Sequence, residues 1–343
     1  MISQARFILS RSKVKEIYNE LKEVSDIISY SYKTNPEVGK ILEENTDSMF
    51  SLHSFEDIST LMHPDRILFF SQAWDDDEIR ELLGKGISRF VIDNMSDLDA
   101  MLGFLKKHEV KVQILLRMKL KENTVQTGKH FVYGMSSSAI NSLLSELRKN
   151  KCIEKLGIHF HRKTQNVSEW NLAEELEDTI NADNWKNIDL VNIGGGLPVM
   201  YKNYSSSVLK GIFSEIKNLR DFLNSKGIKM IIEPGRYIAG PAVKLEATIK
   251  SMYDNNVILD CSVFNAAMDT FVAHIRLVVE GEQDDGNAYT IKGCTPDSMD
   301  IFRYKVFLKK PKVGDKIVFL NAGAYTYSTD FCNLPKLRTE IID

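Results

Sequence analysis

The chain has 343 residues, 43% hydrophobic and 27% charged, with a formal net charge of -3; this is long for one ordinary compact core and suits an α/β barrel plus a smaller domain. Acidic and basic residues are interspersed, so no basic stripe argues for nucleic-acid binding, and no run is long and apolar enough to span a membrane. The opening MISQARFILSRSK lacks an apolar signal segment, so a cytoplasmic location is expected; Cys152, Cys261, Cys294 and Cys332 are scattered without a C-x-x-C pair, so neither a metal site nor a disulfide framework is expected.

In chain order, Phe7–Leu9 reads as a strand ahead of the first helix. Eight short apolar runs follow, at Ile27–Tyr32, Met49–Leu52, Ile67–Phe70, Phe90–Ile92, Val112–Leu116, Leu156–Phe160, Leu190–Ile193 and Met230–Ile232. Short runs rich in Ile, Val, Leu and Phe are the pattern of parallel strands buried on both faces. Helical spacing fills the intervals, as at Asp76–Leu83, Met95–Lys107, Ser138–Lys149, Trp170–Ile180 and Ser205–Ser225. Eight alternating units predict a closed (β/α)8 TIM barrel over 10–240. Beyond it, Val243–Met252, Asn256–Leu259, His274–Val279, Ala288–Ile291, Lys305–Phe307 and Lys316–Leu320 read as strands joined by turns such as Asp284-Asp285-Gly286. This predicts a separate β domain, barrel or sandwich, over 241–343, with residues 1–9 adding a strand to it.

Catalytic groups of such barrels gather at the C-terminal ends of the strands. After the first barrel strand stands Lys33, in Tyr32-Lys33-Thr34-Asn35-Pro36. A desolvated lysine has a lowered pKa and suits Schiff-base chemistry, whereas a lysine in a βα loop can equally be a surface residue. After the sixth strand, His159-Phe160-His161 offers a flat ring, His161, which either covers a cofactor or satisfies a structural hydrogen bond. After the seventh, Gly194-Gly195-Gly196 brings backbone N–H groups close to an anion, or serves a tight bend. After the eighth, Glu233-Pro234-Gly235-Arg236 adds an arginine for an anion and a carboxylate. A carboxylate at a pyridine nitrogen deepens the electron sink of pyridoxal 5'-phosphate (PLP); alternatively Glu233 pairs with Arg236.

Taken in order, Y-S-Y-K-T-N, G-I-H-F-H, N-I-G-G-G-L-P, E-P-G-R-Y, G-C-T-P-D-S-M-D and G-A-Y-T resemble the fold-type III PLP decarboxylases, the ornithine, diaminopimelate and biosynthetic arginine decarboxylase group with its alanine-racemase-like barrel. The resemblance implies that Lys33 holds PLP as a Schiff base and His161 lies over its ring. It gives the phosphate to Thr164, Gly194, Gly195, Gly196, Gly235, Arg236 and Tyr325, the pyridine nitrogen to Glu233, and a place near the cofactor to Arg117. It also implies a homodimer with shared active sites, into which the segment bearing Cys294 and Asp297 would reach from the partner copy.

Two departures stand out. Pro296-Asp297 replaces the family's Cys-Asp or Cys-Glu, so the proton donor is either Cys294, two residues earlier, or another group. Where ornithine enzymes place a substrate-binding acid, this chain aligns Cys261 with Asp260 beside it, leaving Asp297 as the clearer contact for a distal amine. The reading is a PLP-dependent decarboxylase of a small, basic amino acid. The alternatives are an amino-acid racemase of the same fold type, against which Glu233 speaks, and a non-catalytic homologue that binds PLP or a partner.

Overall fold

The computed structural model describes residues 5–120, 133–163, 165–203, 208–325 and 329–343. Strand β1 (Arg6–Ser10) precedes eight parallel strands: β2 (Ile27–Ser31), β3 (Met49–Leu52), β4 (Ile67–Ser71), β5 (Arg89–Ile92), β6 (Val112–Arg117), β7 (Ile153–His159), β8 (Leu190–Asn192) and β9 (Lys229–Ile232). These close into a barrel, with β2 pairing back to β9 at Ile27↔Ile231 and Ile28↔Ile232.

Strand alternation builds two cores from one sequence pattern. Leu68, Val91, Leu115, Leu190 and Ile231 form one buried cluster, one residue from each of five strands, with Phe70 against it. Their neighbours Ile67, Phe69, Phe90 and Ile114 join the larger core that packs strands on helices. Filling both faces is why each run reads as continuously apolar.

Local signals set the helix starts. Asp75 and Glu78 close a capping box on the helix Asp76–Gly84. Asn35 caps the helix Pro36–Asn45, whose Pro36 occupies the first turn. That cap ends the 3-10 turn Tyr32–Thr34, so Lys33 is held between the end of β2 and a fixed helix start.

The second domain is an eight-stranded mixed sheet. It contains β10 (Val243–Tyr253), β11 (Asn256–Leu259), β12 (Val278–Val279), β13 (Gln283–Lys292), β14 (Ile301–Phe307), β15 (Lys316–Leu320) and β16 (Arg338–Ile342). Strand β1 joins this sheet, antiparallel to β10; it also lies parallel to β16.

Two local readings change, and one strand goes unread. Of His274–Val279 only Val278–Val279 is strand, because His274 follows a short helix, Asp269–Val272, with φ +53°. Asp284-Asp285-Gly286 is not a connection between strands: it lies inside β13, where the register against Phe307 slips between Gln283 and Ala288. Strand β16 carries no apolar alternation in RTEII and all five residues are exposed, so its pairing with β1 had no sequence signal.

The two parts meet at the barrel mouth. Asn35 Nδ2 donates to Gly323 O at 2.9 Å and Tyr325 N to Thr34 O at 2.9 Å. A Cβ on Gly323 would stand 1.9 Å from Ala239 O, so only glycine allows this crossing, which carries Tyr325 to the turn that bears Lys33.

Candidate active site

A cavity of about 340 Å³ opens at the C-terminal ends of the barrel strands, and Lys33 reaches into it from the end of β2. Protein on most sides lowers the Lys33 pKa below that of a free amine; Glu233 opposes the shift and Arg117 adds to it.

Glu233, just past β9, is 8% exposed. Its Oε1 accepts from Ser51 Oγ and Asn192 Nδ2, both at 2.9 Å, and its Oε2 lies 3.4 Å from His159 Nε2. Burial alone would raise the carboxyl pKa; His159 and the hydrogen bonds outweigh it and hold the group at about 2. His159 is buried and its pKa is lowered, chiefly by burial. A neutral ring with the proton on Nε2 donates to Glu233; its Nδ1 has no partner among the described residues.

His161 Nδ1 accepts from Gly195 N at 3.2 Å, and burial pushes its pKa down to about 4, so the ring is neutral at physiological pH. His53 behaves alike, at about 4 from burial and then Lys33, with its ring on Phe70 at 4.6 Å. Both rings and Lys33 present surface to the cleft while protein surrounds them.

Elsewhere in its lining, glycines let the backbone pack where no side chain would fit. Gly196 has φ +105° and a Cβ there would stand 2.4 Å from Lys163 O; on Gly195 it would stand 2.6 Å from Glu233 O; on Gly235, 2.2 Å from Thr34 Oγ1. Arg236 follows with its guanidinium 5.0 Å from the Tyr325 ring centre. Arg117 ends β6, pairs with Asp93 at 3.1 Å and lies over the Tyr133 ring. Beyond His53, Phe70, Gln72 and Arg117 a second chamber of about 270 Å³ continues the cleft toward Trp74 and Glu78.

The structure thus brings Lys33, Arg117, His161, Gly195, Gly196, Glu233, Gly235, Arg236 and Tyr325 to one cavity, with Gly194 beside His161. Thr164 lies outside the described residues. Cys294 and Asp297 do not line this cavity. Cys294 is exposed, its N–H given to Cys261 O at 2.9 Å; Asp297 accepts from Met299 N at 2.7 Å. Cys261 is fully buried in the core and has no surface to offer a substrate. Asp260 accepts from Thr248 N at 2.7 Å and also lies off the cavity.

The sequence reading did not single out Ser51, His53, His159 or Asn192. Ser51 and His53 stand two apart where β3 ends, and a polar residue within a buried strand is the signal that marks Ser51 and Asn192.

A lysine of lowered pKa facing a buried, ionised carboxylate, beside a glycine and arginine anion cradle at a barrel mouth, defines the class of pyridoxal-phosphate enzymes built on this barrel. The chain belongs to the pyridoxal-dependent decarboxylases: the family's pyridoxal binding domain matches residues 11–240. It is 24% identical to a diaminopimelate decarboxylase of Methanothermobacter thermautotrophicus, over 94% of this chain and 82% of that one. It is also 24% identical to an ornithine decarboxylase of Saccharomyces cerevisiae, over 94% and 77%. The solved diaminopimelate decarboxylase of Helicobacter pylori complexed with L-lysine superposes with a TM-score of 0.83 at 19% identity, covering 100% of this chain and 92% of that one. The chain is a PLP-dependent amino-acid decarboxylase, and the cavity fits its cofactor. Gly195, Gly196 and Gly235 line it with bare backbone, the buried Arg236 Nε–H has no acceptor among the described residues, and the ionised Glu233 is a counter-charge of the kind a protonated ring nitrogen would need. Among the described residues no helix is long and apolar enough to cross a membrane.

Proposed function

We propose that the chain decarboxylates a small basic amino acid of the ornithine or lysine kind to its amine, with PLP held on the Lys33 amine. The observation that carries this reading is that Lys33 and Glu233 share one cavity and sense each other's charge. Bound PLP supplies an electron sink for the pair left behind as carbon dioxide departs.

The chain's residues then divide the work. Lys33, its pKa lowered chiefly by burial, gives up its proton more readily than a free lysine, which favours attaching the cofactor and releasing product. Glu233 keeps a proton on the pyridine nitrogen. The neutral His161 ring and Arg117, both lining the cavity, would pack against the cofactor and stand near it. Gly194, Gly195, Gly196, Gly235, Arg236 and Tyr325, with Thr164 as the family resemblance adds, would hold its phosphate, the glycines through backbone N–H groups and Arg236 through its guanidinium.

Cys294 supplies the proton that replaces the carboxylate. Its thiol pKa is raised, first by burial and then by Asp300, which keeps the S–H intact at neutral pH. Because Cys294 and Asp297 lie off their own chain's cavity, they serve the cavity of a second copy in a homodimer, with Asp297 meeting the distal ammonium of the substrate. Asp260 and Cys261 drop out as substrate contacts. The racemase alternative requires a weaker electron sink, and the ionised Glu233 argues against it. A reducing cytoplasm suits a free Cys294.

The test is carbon dioxide release from PLP-loaded protein given L- and D-ornithine, lysine, arginine and diaminopimelate. Release from a diamino acid supports the reading; D-amino acid formed without carbon dioxide would restore the racemase. Replacement of Lys33 by Ala is expected to remove both turnover and the absorbance of lysine-bound cofactor, and turnover retained by that variant would refute the assignment of Lys33.

A further inference from the structure

Arg236 is tied back by the β domain. It opens the helix Arg236–Ala242 directly after Gly235, is 6% exposed, and lines the main cavity. Its Nη1 donates to Tyr201 Oη at 3.1 Å and to the Asp269 carboxylate. Asp269 comes from the short helix Asp269–Val272 of the other domain and is 7% exposed. The guanidinium also lies over the rings of Tyr201, at 5.7 Å, and Tyr325, at 5.0 Å. Both partners thus act on Nη1. The buried Nε–H meets no acceptor among the described residues.

A guanidinium is a planar fork: Nε–H and the N–H of Nη2 form one edge that matches two phosphate oxygens. Fixing Nη1 from behind sets the plane of the fork and leaves Nε and Nη2 as the donors for an anion. It also gives a buried cation a counter-charge before any phosphate arrives, which avoids an uncompensated charge in a dry site.

We propose that Asp269 and Tyr201 are positioning residues for the cofactor phosphate, so that the β domain sets how firmly the barrel retains PLP. This rests on the phosphate role proposed above for Arg236. Asp269 is an unusual aid to anion binding, because its own charge repels a phosphate. That opposition makes the inference sharp. If net charge decided the matter, Asp269→Asn would tighten phosphate binding; if positioning decides it, the same change loosens it.

The experiment compares dissociation constants of PLP and of pyridoxal, which lacks the phosphate, on full-length protein stripped of cofactor. The readout is the ratio of the two constants in wild type, Asp269→Asn, Tyr201→Phe and Arg236→Met. Losing a hydrogen bond to a charged group corresponds to about a tenfold change. The preference for PLP over pyridoxal is therefore expected to fall about tenfold in Asp269→Asn and severalfold in Tyr201→Phe, while pyridoxal itself binds as in wild type. A preference unchanged or increased in Asp269→Asn overturns the inference, and so does equal weakening of both ligands, which marks a merely structural role. If Asp269→Asn does not fold, Tyr201→Phe, which loses one hydroxyl, decides alone. If Arg236→Met keeps the full preference, the phosphate role of Arg236 fails; if it loses the preference and the other two variants keep it, only the positioning role fails.

Discussion

At the scale of single residues, the site depends on which groups the protein keeps charged. Glu233 is buried yet ionised because three neighbours, Ser51, Asn192 and His159, point at its oxygens. Glu233→Gln keeps the shape, removes the charge and puts an amide N–H₂ near His159. His159 must then move its proton to Nδ1, which has no partner among the described residues. Since one aimed polar group in a buried site is worth about 100-fold or more in rate, kcat is expected to fall by at least that factor with Lys33 still carrying cofactor; steady-state kinetics with an absorbance spectrum checks both, and a kcat within threefold of wild type would sink the role. The histidines make a second prediction. His53 and His161 are held at about 4 by burial, against about 6.5 in an unfolded chain. Below pH 6.5 the unfolded chain binds protons that the folded chain refuses, so stability falls as pH drops from about 6.5 toward 4. His159 acts in the same direction. Glu233, at about 2, adds stability that is lost only as pH falls from the ordinary glutamate range toward 2. The thermal midpoint of cofactor-free protein is therefore expected to decline already between pH 6.5 and 5, before carboxylates protonate; a flat profile there would show that the two rings, which present surface to the cleft, are solvated by it and keep their ordinary pKa.

At the scale of elements, the glycine turn after β8 shows why position mattered more than composition. Gly196 combines φ +105° with a Cβ position 2.4 Å from Lys163 O, so Gly196→Ala forces a left-handed alanine against a backbone carbonyl. PLP affinity is expected to drop about tenfold or more, with a lowered melting temperature; equilibrium binding of PLP checks it, and unchanged affinity would remove this turn from the phosphate site. The same element explains what was legible in the sequence. The barrel strands are buried on both faces and so announce themselves as apolar runs, and β3 begins and ends where its run does; in the second domain β11 and β15 also match the runs read for them. Lys33, Glu233 and the glycines could be found because they follow such runs. Strand β16 could not, since its register comes from pairing with β1 and all its side chains face solvent. Ser51 and Asn192 were missed for a related reason: inside a strand, a small polar residue takes its meaning only from what the barrel places opposite it, here Glu233, which no local pattern encodes. Cys261 failed the other way, as a residue aligned with a binding position that the fold turns into the core.

At the scale of the whole molecule, the loop Gly293–Asp300 is built for presentation. Asp300, 1% exposed, accepts from Val263 N at 2.8 Å, Thr295 N at 3.1 Å and Thr295 Oγ1 at 2.7 Å. A Cβ on Gly293 would stand 2.0 Å from the same carboxylate. This anchors the loop while Cys294 stays exposed, on a surface that also carries Met299 at 59% and Phe331 at 50% exposure. Large apolar side chains left in solvent beside a pinned, protonated thiol are the features expected if a second copy covers this face. If that copy receives Cys294 at its own Lys33 cavity, each active site draws on two chains. Lys33→Ala and Cys294→Ala then damage the same site from different subunits, and a mixed dimer keeps one site with both groups intact. Equal mixing of the two inactive variants under conditions that exchange subunits makes half of all dimers mixed, each with one working site, so about a quarter of wild-type activity is expected to return. Recovery near that level, absent when either variant is incubated alone, identifies shared sites. If no activity returns although mass analysis shows mixed dimers, Cys294 acts in its own subunit or another group delivers the proton.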